Sequence, residues 1–310
     1  MFSTRIRLLS LPLALAVASV LVLGVSASAG GADLPTCLGH PATIVGTDGN
    51  DRLTGTNNDD VIAALGGDDV VVSGGSDDGD LICGGDGNDA LLVTKGGDGL
   101  FSFDAAVVSG DAGDDRIQGA EDTYVEADYE ASPEPVNVNL GAGTESGWGK
   151  DTLVHVMFVD GSSFDDTLTG SARLDGLYGY AGNDTLAGLG GGDILSGGPG
   201  ADRIDGGTGR DWLDYLYEVP SGVHINLAKG TATGGAGTDT IRSAELVYGS
   251  KYADVIVGSA GADHLEGNGG TDRLYGGAGK DALYGGKGTD RADGGPARDV
   301  CRAERTVHCP

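Results

Sequence analysis

The sequence predicts an all-β fold, a parallel β-solenoid built from nonapeptide repeats. Three observations in phase carry that expectation. Glycine recurs every nine residues from Gly161 and again from Gly249, an Asp stands at the sixth place of each piece, and a large apolar residue stands at the eighth, weakening to Ala292 and Cys301 at the end of the second run. From Gly161 the pieces are GSSFDDTLT, GSARLDGLY, GYAGNDTLA, GLGGGDILS, GGPGADRID and GGTGRDWLD. Their Asp column is Asp166, Asp175, Asp184, Asp193, Asp202 and Asp211, and their apolar column is Leu168, Leu177, Leu186, Leu195, Ile204 and Leu213.

Without that period the composition would read differently. The chain has 310 residues, 59 of them Gly, with 47 acids against 19 Lys and Arg and a net charge of -28. High charge and high Gly without periodicity signal disorder, whereas a period signals stacked repeats. The charge excludes a nucleic-acid binder, which needs a basic face. Aromatics at 5% and few large apolar residues argue against an enzyme with one conventional core.

The elements follow in chain order. Residues 1–29 read as a secretory signal peptide. Arg5 and Arg7 precede an apolar run from Leu8 to Val25, and Ala27-Ser28-Ala29 supplies a small-residue cleavage site. Its removal would take the net charge from -28 to -30, and no second run is long enough to span a bilayer. Export makes the four cysteines disulfide candidates. Cys301 and Cys309, close in sequence, are expected to pair, and Cys37 would then staple the N-terminus to Cys83.

Residues 30–118 form an irregular repeat block, with GTDGNDRLT from Gly46, GTNNDDVIA from Gly55, ALGGDDVVV from Ala64, and, after a two-residue slip, GGDGNDALL from Gly84. Asp51, Asp60, Asp69, Asp80 and Asp89 fall in phase there, and an isolated unit, GDAGDDRIQ, starts at Gly110. Residues 119–160 and 215–248 are linkers, and 161–214 and 249–302 are six-unit runs. Asp254, Asp263, Asp272, Asp281, Asp290 and Asp299 form the second run's Asp column. Residues 303–310 are a C-terminal cap. The linkers repeat as well: Asp151 to Asp239 is 88 residues, as is Asp166 to Asp254. Their alternation, as in Val136-Asn137-Val138-Asn139-Leu140 and Val223-His224-Ile225-Asn226-Leu227, is that of strands. They are expected to be calcium-free coils of the same solenoid, and residues 93–135 its least regular part.

In the consensus G-G-x-G-x-D-x-U-x, six positions read as a turn and three as a short strand with one inward side chain. So short a strand is stable only in a stack, so two units make one coil and units n and n+2 become neighbours. Carboxylates on successive coils then lie about 4.8 Å apart and repel. A hard divalent cation removes that repulsion, and calcium, which takes six to eight oxygen ligands from carboxylates and carbonyls, fits.

These units resemble the calcium-binding nonapeptides of the repeats-in-toxin (haemolysin-type, RTX) family, a pattern already known as a repeat of parallel β-helices. The resemblance implies a right-handed parallel β-roll with several Ca2+ ions in its turns, each shared between a unit and the unit two places on. Carried onto this sequence, the ligand positions are Asp51, Asp60, Asp69, Asp89, Asp184, Asp193, Asp202, Asp211, Asp263, Asp272, Asp281 and Asp290. The turn glycines are Gly179, Gly197, Gly206, Gly267, Gly276 and Gly285. The units at Gly161, Gly170 and Gly249 depart from the pattern, with Phe164, Arg173 and Tyr252 at the fourth place. Each six-unit run offers four n/n+2 pairs, so about four ions per run is the upper expectation.

No catalytic constellation is present in the sequence: neither H-E-x-x-H nor G-x-S-x-G occurs, and the five His are scattered. His264 is expected on the solvated surface. Arg52, Arg116, Arg203, Arg273 and Arg291 each follow an Asp and are expected to temper the acidic ladder. Tyr275 and Tyr284, one unit apart, are expected on opposite sheets. The expectation is therefore a secreted, extracellular, calcium-folded scaffold or interaction protein. Its expected partners are calcium and a cell-surface or extracellular polysaccharide or protein, with no nucleic acid. The alternative is a polysaccharide-active or polysaccharide-binding β-helix module.

Overall fold

The computed structural model of the protein describes residues 34–75, 79–94, 106–121, 123–216 and 219–309. The expected signal peptide lies outside the described residues. Among the described residues every regular element is a strand, most of two to four residues, and no helix is long and apolar enough to cross a membrane.

Strands this short persist because each is one rung of a stack. Successive units alternate between two sheets, so pairing joins units n and n+2. Leu168 stands in register with Leu186, and Leu186 with Ile204. In the other sheet Leu177 stands in register with Leu195, and Leu195 with Leu213. That second sheet has 13 strands, paired in parallel from Ile44–Val45 to Val300–Arg302. The first runs from Arg52–Thr54 to Arg305–Val307 in one line of pairings. Together they make the parallel β-roll that the period of nine predicts.

Each strand turns one residue inward, as the pleat requires. Ile62, Val71, Leu91, Ile117, Leu168, Leu177, Leu195, Leu213, Leu265 and Leu283 are buried in a single continuous core. Burying one such side chain stabilises by about 1.5–3 kcal/mol. The roll therefore holds together by many small identical contributions, each depending on its neighbours above and below.

The linkers depart from the parallel pattern. Asn137–Asn139 pairs antiparallel with Thr144–Ser146, which pairs antiparallel with Thr152–Val154. Val223–Asn226, Thr231–Gly234 and Gly237–Arg242 repeat that meander. The reversal is built locally. Asn139 Oδ1 accepts from the Ala142 amide, Asn226 Oδ1 accepts from Lys229, and Gly143 and Gly230 supply φ of 68° and 65°. The outer strand of each meander then receives the next run, Val138 beside Leu168 and Ile225 beside Ile256. In the stretch expected to be least regular, Ala106–Ala112, Arg116–Gly119 and Val125–Asp128 take their places in the stacks, while residues 95–105 lie outside the described residues.

All four cysteines are paired. Cys37–Cys83 ties the entry of the roll to Leu81–Asp86, and Cys301–Cys309 closes its last coil. Arg52, Arg116, Arg203, Arg273 and Arg291 are exposed on one sheet, while Tyr275 and Tyr284 stand on different sheets. His264 is half-buried rather than free in solvent: its ring stacks on Tyr284, with centroids 5.0 Å apart, and bonds Glu266 at 2.8 Å.

Candidate metal centres

The sixth-place Asp residues form hydrogen-bonded ladders along the roll. The Asp166 amide donates to Oδ1 of Asp184, Asp184 to Asp202, and Asp202 to Asp239, at 2.7, 2.9 and 3.2 Å. In the second run Asp254 donates to Asp272 and Asp272 to Asp290, both at 2.9 Å. The opposite edges repeat this through Asp175, Asp193 and Asp211, and through Asp263, Asp281 and Asp299. In the N-terminal block Asp51 donates to Asp69, Asp69 to Asp89, Asp89 to Asp115, and Asp60 to Asp80. The rung there is 20 or 26 residues where the units slip, against 18 in the regular runs.

One oxygen of each accepting carboxylate is thus fixed by the neighbouring coil. The fate of the other divides the residues into two sets. Oδ2 of Asp69, Asp89, Asp115, Asp184, Asp193, Asp202, Asp211, Asp272, Asp281, Asp290 and Asp299 is buried with no hydrogen-bond partner. Leaving a buried acceptor empty is costly, and for a charged one the cost is higher still. In Asp51, Asp60, Asp166, Asp175, Asp254 and Asp263 the same oxygen accepts the second-place amide of its own turn at 2.5–2.6 Å. Those second places are Thr47, Thr56, Ser162, Ser171, Ser250 and Ser259. The hydroxyls of Thr47, Ser162, Ser250 and Ser259 donate to the carboxylate as well.

Backbone conformation at the second place separates the sets. In the turns with a bare Oδ2 it is left-handed, including the non-glycine residues Leu65, Asp111, Tyr180, Leu189 and Asn268, with φ between 62° and 82°. This conformation is uncommon for residues with a Cβ. None of the Ser or Thr positions shares it. The Ser and Thr turns are the first two units of each run, which make its first coil.

The sequence-expected ligands therefore fall in two places. Asp69, Asp89, Asp184, Asp193, Asp202, Asp211, Asp272, Asp281 and Asp290 carry the bare oxygen, while Asp51, Asp60 and Asp263 have it filled by their own turn. Asp115 and Asp299, not among the expected ligands, carry a bare oxygen too. The signal that could have separated them was in plain sight: Ser or Thr at the second place marks the filled carboxylates.

The glycines explain the tightness of these turns. A Cβ on Gly179 would collide with Oδ2 of Asp184 and stand 2.8 Å from the carbonyl oxygen of Gly197 on the next coil. Gly267 repeats this with Asp272 and the carbonyl of Gly285, at 2.7 Å, and Gly276 with Asp281 and the carbonyl of Gly294, at 2.6 Å. Gly197, Gly206 and Gly285 likewise sit against Asp202, Asp211 and Asp290. Carboxylate and carbonyl oxygens thus surround a space that any side chain would fill. Among the described residues no three acidic, His or Cys side chains converge as a metal cluster, so carbonyls must complete any coordination sphere. A donor set of hard oxygens alone, with bare carboxylates, suits calcium.

Burial makes the ionised ladder unfavourable by itself. Desolvation pushes Asp184 up to about 8, Asp193, Asp202 and Asp272 to about 7, and Asp89 to about 6; the bond from the preceding amide opposes the shift and the neighbouring carboxylates add to it.

Two further arrangements were not anticipated. An Asx column runs along the fifth place, where Asn50 Oδ1 accepts from Asp68, Asp68 from Asn88, and Asn88 from Asp114. In the linkers the ladder continues through Asp151 and Asp239, whose second oxygens accept the buried hydroxyls of Tyr129 and Tyr215, each at 3.0 Å. A phenol there does what a Ser or Thr turn does in the first coil of a run.

A family model described as RTX calcium-binding nonapeptide repeat (4 copies) matches residues 45–80, 105–123, 160–195, 188–215, 248–283 and 266–301, over half of the chain. The unmatched stretches include most of both meander linkers. No curated protein sequence matches the chain significantly.

Proposed function

Because the chain belongs to the RTX calcium-binding nonapeptide repeat family, we propose that it is a secreted, non-catalytic scaffold or interaction protein whose folding is driven by calcium. The observation that carries this reading is the set of bare, buried Oδ2 atoms on the Asp ladder. There are four in each six-unit run, the number of n/n+2 pairs in such a run. Asp184, Asp193, Asp202 and Asp211 would hold ions in the first run, and Asp272, Asp281, Asp290 and Asp299 in the second, together with turn carbonyls. Asp69, Asp89 and Asp115 would do so in the N-terminal block.

A bound ion supplies positive charge beside the carboxylates and accepts their free oxygens as ligands. The chain's own residues do the rest. The preceding amide orients each carboxylate, glycine leaves room at the first place, and the left-handed second place turns its amide away from Oδ2. Binding free energy then becomes folding free energy. The paired cysteines and the signal-like N-terminus support an oxidising, extracellular location, where calcium at the millimolar level suits sites of 10⁻⁴–10⁻³ M affinity.

Circular dichroism with and without chelator tests the reading. A chain that is expanded in chelator and gains β-structure on adding calcium supports it; an unchanged spectrum overturns it.

A further inference from the structure

The first linker contains a carboxylate that its 88-residue repeat does not. Glu145 lies in the middle of Thr144–Ser146, opposite Val138, and is 3% exposed. In the second linker the same meander position, opposite Ile225, is Ala232. Both Glu145 oxygens are buried with no hydrogen-bond partner. Its backbone amide bonds the Asp151 carbonyl at 3.1 Å, so the two residues stand side by side on adjacent strands, as Ala232 and Asp239 do. Asp151 is itself a ladder residue, accepting from the Asp115 amide and from the Tyr129 hydroxyl, and Oδ2 of Asp115 is bare.

We propose that the first linker holds a divalent-cation site of its own, outside the nonapeptide pattern, in which the carboxylate of Glu145, beside Asp151, binds calcium. An inward-facing Glu in a β core is tolerated only when its charge is met. Among the described residues no basic side chain is ion-paired or hydrogen-bonded to Glu145. The backbone amides of Trp148 and Asp151 approach its carboxylate and favour the charged form in part. Burial raises the phenol of Tyr129, and the charges of Asp151, Glu145 and Asp115 raise it further. All the donors are hard oxygens, the set that calcium prefers. The second linker, with Ala232 in place of Glu145, keeps its Tyr215–Asp239 bond and has no such site. The inference rests on the calcium reading above only for the identity of the ion.

The test is the number of calcium ions bound by the full chain at saturation, measured by native mass spectrometry or by equilibrium dialysis with metal analysis. Glu145→Ala, which installs the residue of the second linker, and Glu145→Gln should each bind one ion fewer than the wild type, while the calcium-induced circular dichroism change is kept. Ala232→Glu should bind one more. An unchanged count in both Glu145 variants overturns the site and leaves the repeat reading intact. Absence of bound calcium in the wild type overturns both.

Discussion

The backbone amide of Asp184 donates to Oδ1 of Asp202 one coil away, at 2.9 Å, while Oδ2 of Asp202 is buried with nothing to accept. One carboxylate therefore serves the fold with one oxygen and leaves the other for a ligand. Asp202→Asn keeps an acceptor for the Asp184 amide but removes the charge. It should raise the calcium concentration at half-folding about tenfold, a change of about 1.4 kcal/mol, and leave the calcium-saturated spectrum unchanged. A calcium titration followed by circular dichroism reads this; an unaltered midpoint would argue against a ligand role for Asp202.

Ser259 predicts the opposite dependence. Its hydroxyl and amide both reach the Asp263 carboxylate, and the hydroxyl also accepts from the Gly261 amide, so Ser259→Ala removes two hydrogen bonds, worth together about 2 kcal/mol. The loss should be equal with and without calcium, and the number of bound ions should not change. Denaturation at pH 5 in chelator and at pH 7.5 in calcium measures it. A change confined to the calcium-bound form would contradict a carboxylate satisfied by its own turn.

Acid should partly replace calcium. Asp184, Asp193, Asp202 and Asp272 have folded-state values raised to about 7 or 8, against about 3.9 in an unfolded chain. A raised value means that the folded state binds more protons than the unfolded state. Their contribution to the calcium-free fold is thus fully present below the unfolded value of about 4 and disappears as pH rises through 7 to 8. In chelator, β-structure should increase as pH is lowered from 8 to 5. With saturating calcium the dependence should reverse, because protons then compete with the ion for the same oxygens. Equal pH profiles in the two conditions would be inconsistent with this.

The two disulfides should differ in weight. Cys37–Cys83 spans 46 residues and Cys301–Cys309 spans 8. On chain-entropy grounds the longer loop stabilises by about 4 kcal/mol and the shorter by about 2.5. Replacing Cys37 and Cys83 by Ser should lower stability in saturating calcium more than replacing Cys301 and Cys309. Urea denaturation compares them, and the reverse order would show that the terminal coil is the weaker point of the roll.

The architecture was legible in the sequence because it depends on residues that repeat. Gly179, Asp184 and Leu186 recur in phase, and their stacking follows from the impossibility of a lone three-residue strand. The exceptions were harder to read because each depends on one residue against its neighbours. Ser162 looks like a weak glycine until its bonds to Asp166 are seen. Glu145 looks like a surface acid in a polar linker, and only the antiparallel turn at Gly143 aims it inward. Tyr129 and Tyr215 give no periodic signal, since each reaches its Asp from more than 20 residues away.

The rungs have ends as well as a middle. Each ladder starts on carboxylates filled by Ser or Thr. Two of its last amides, those of Asp211 and Asp290, are taken up by Glu245 and Glu304 from beyond the run, and the edge through Asp202 closes on a Tyr-bonded Asp239. A block of run plus following linker thus carries its own opening and its own closure. Such a block can be copied in tandem by gene duplication, without stranding a polar group at either junction. The protein could lengthen or shorten by one whole cassette and still present two finished faces, whereas a cut inside a run would expose a half-made rung.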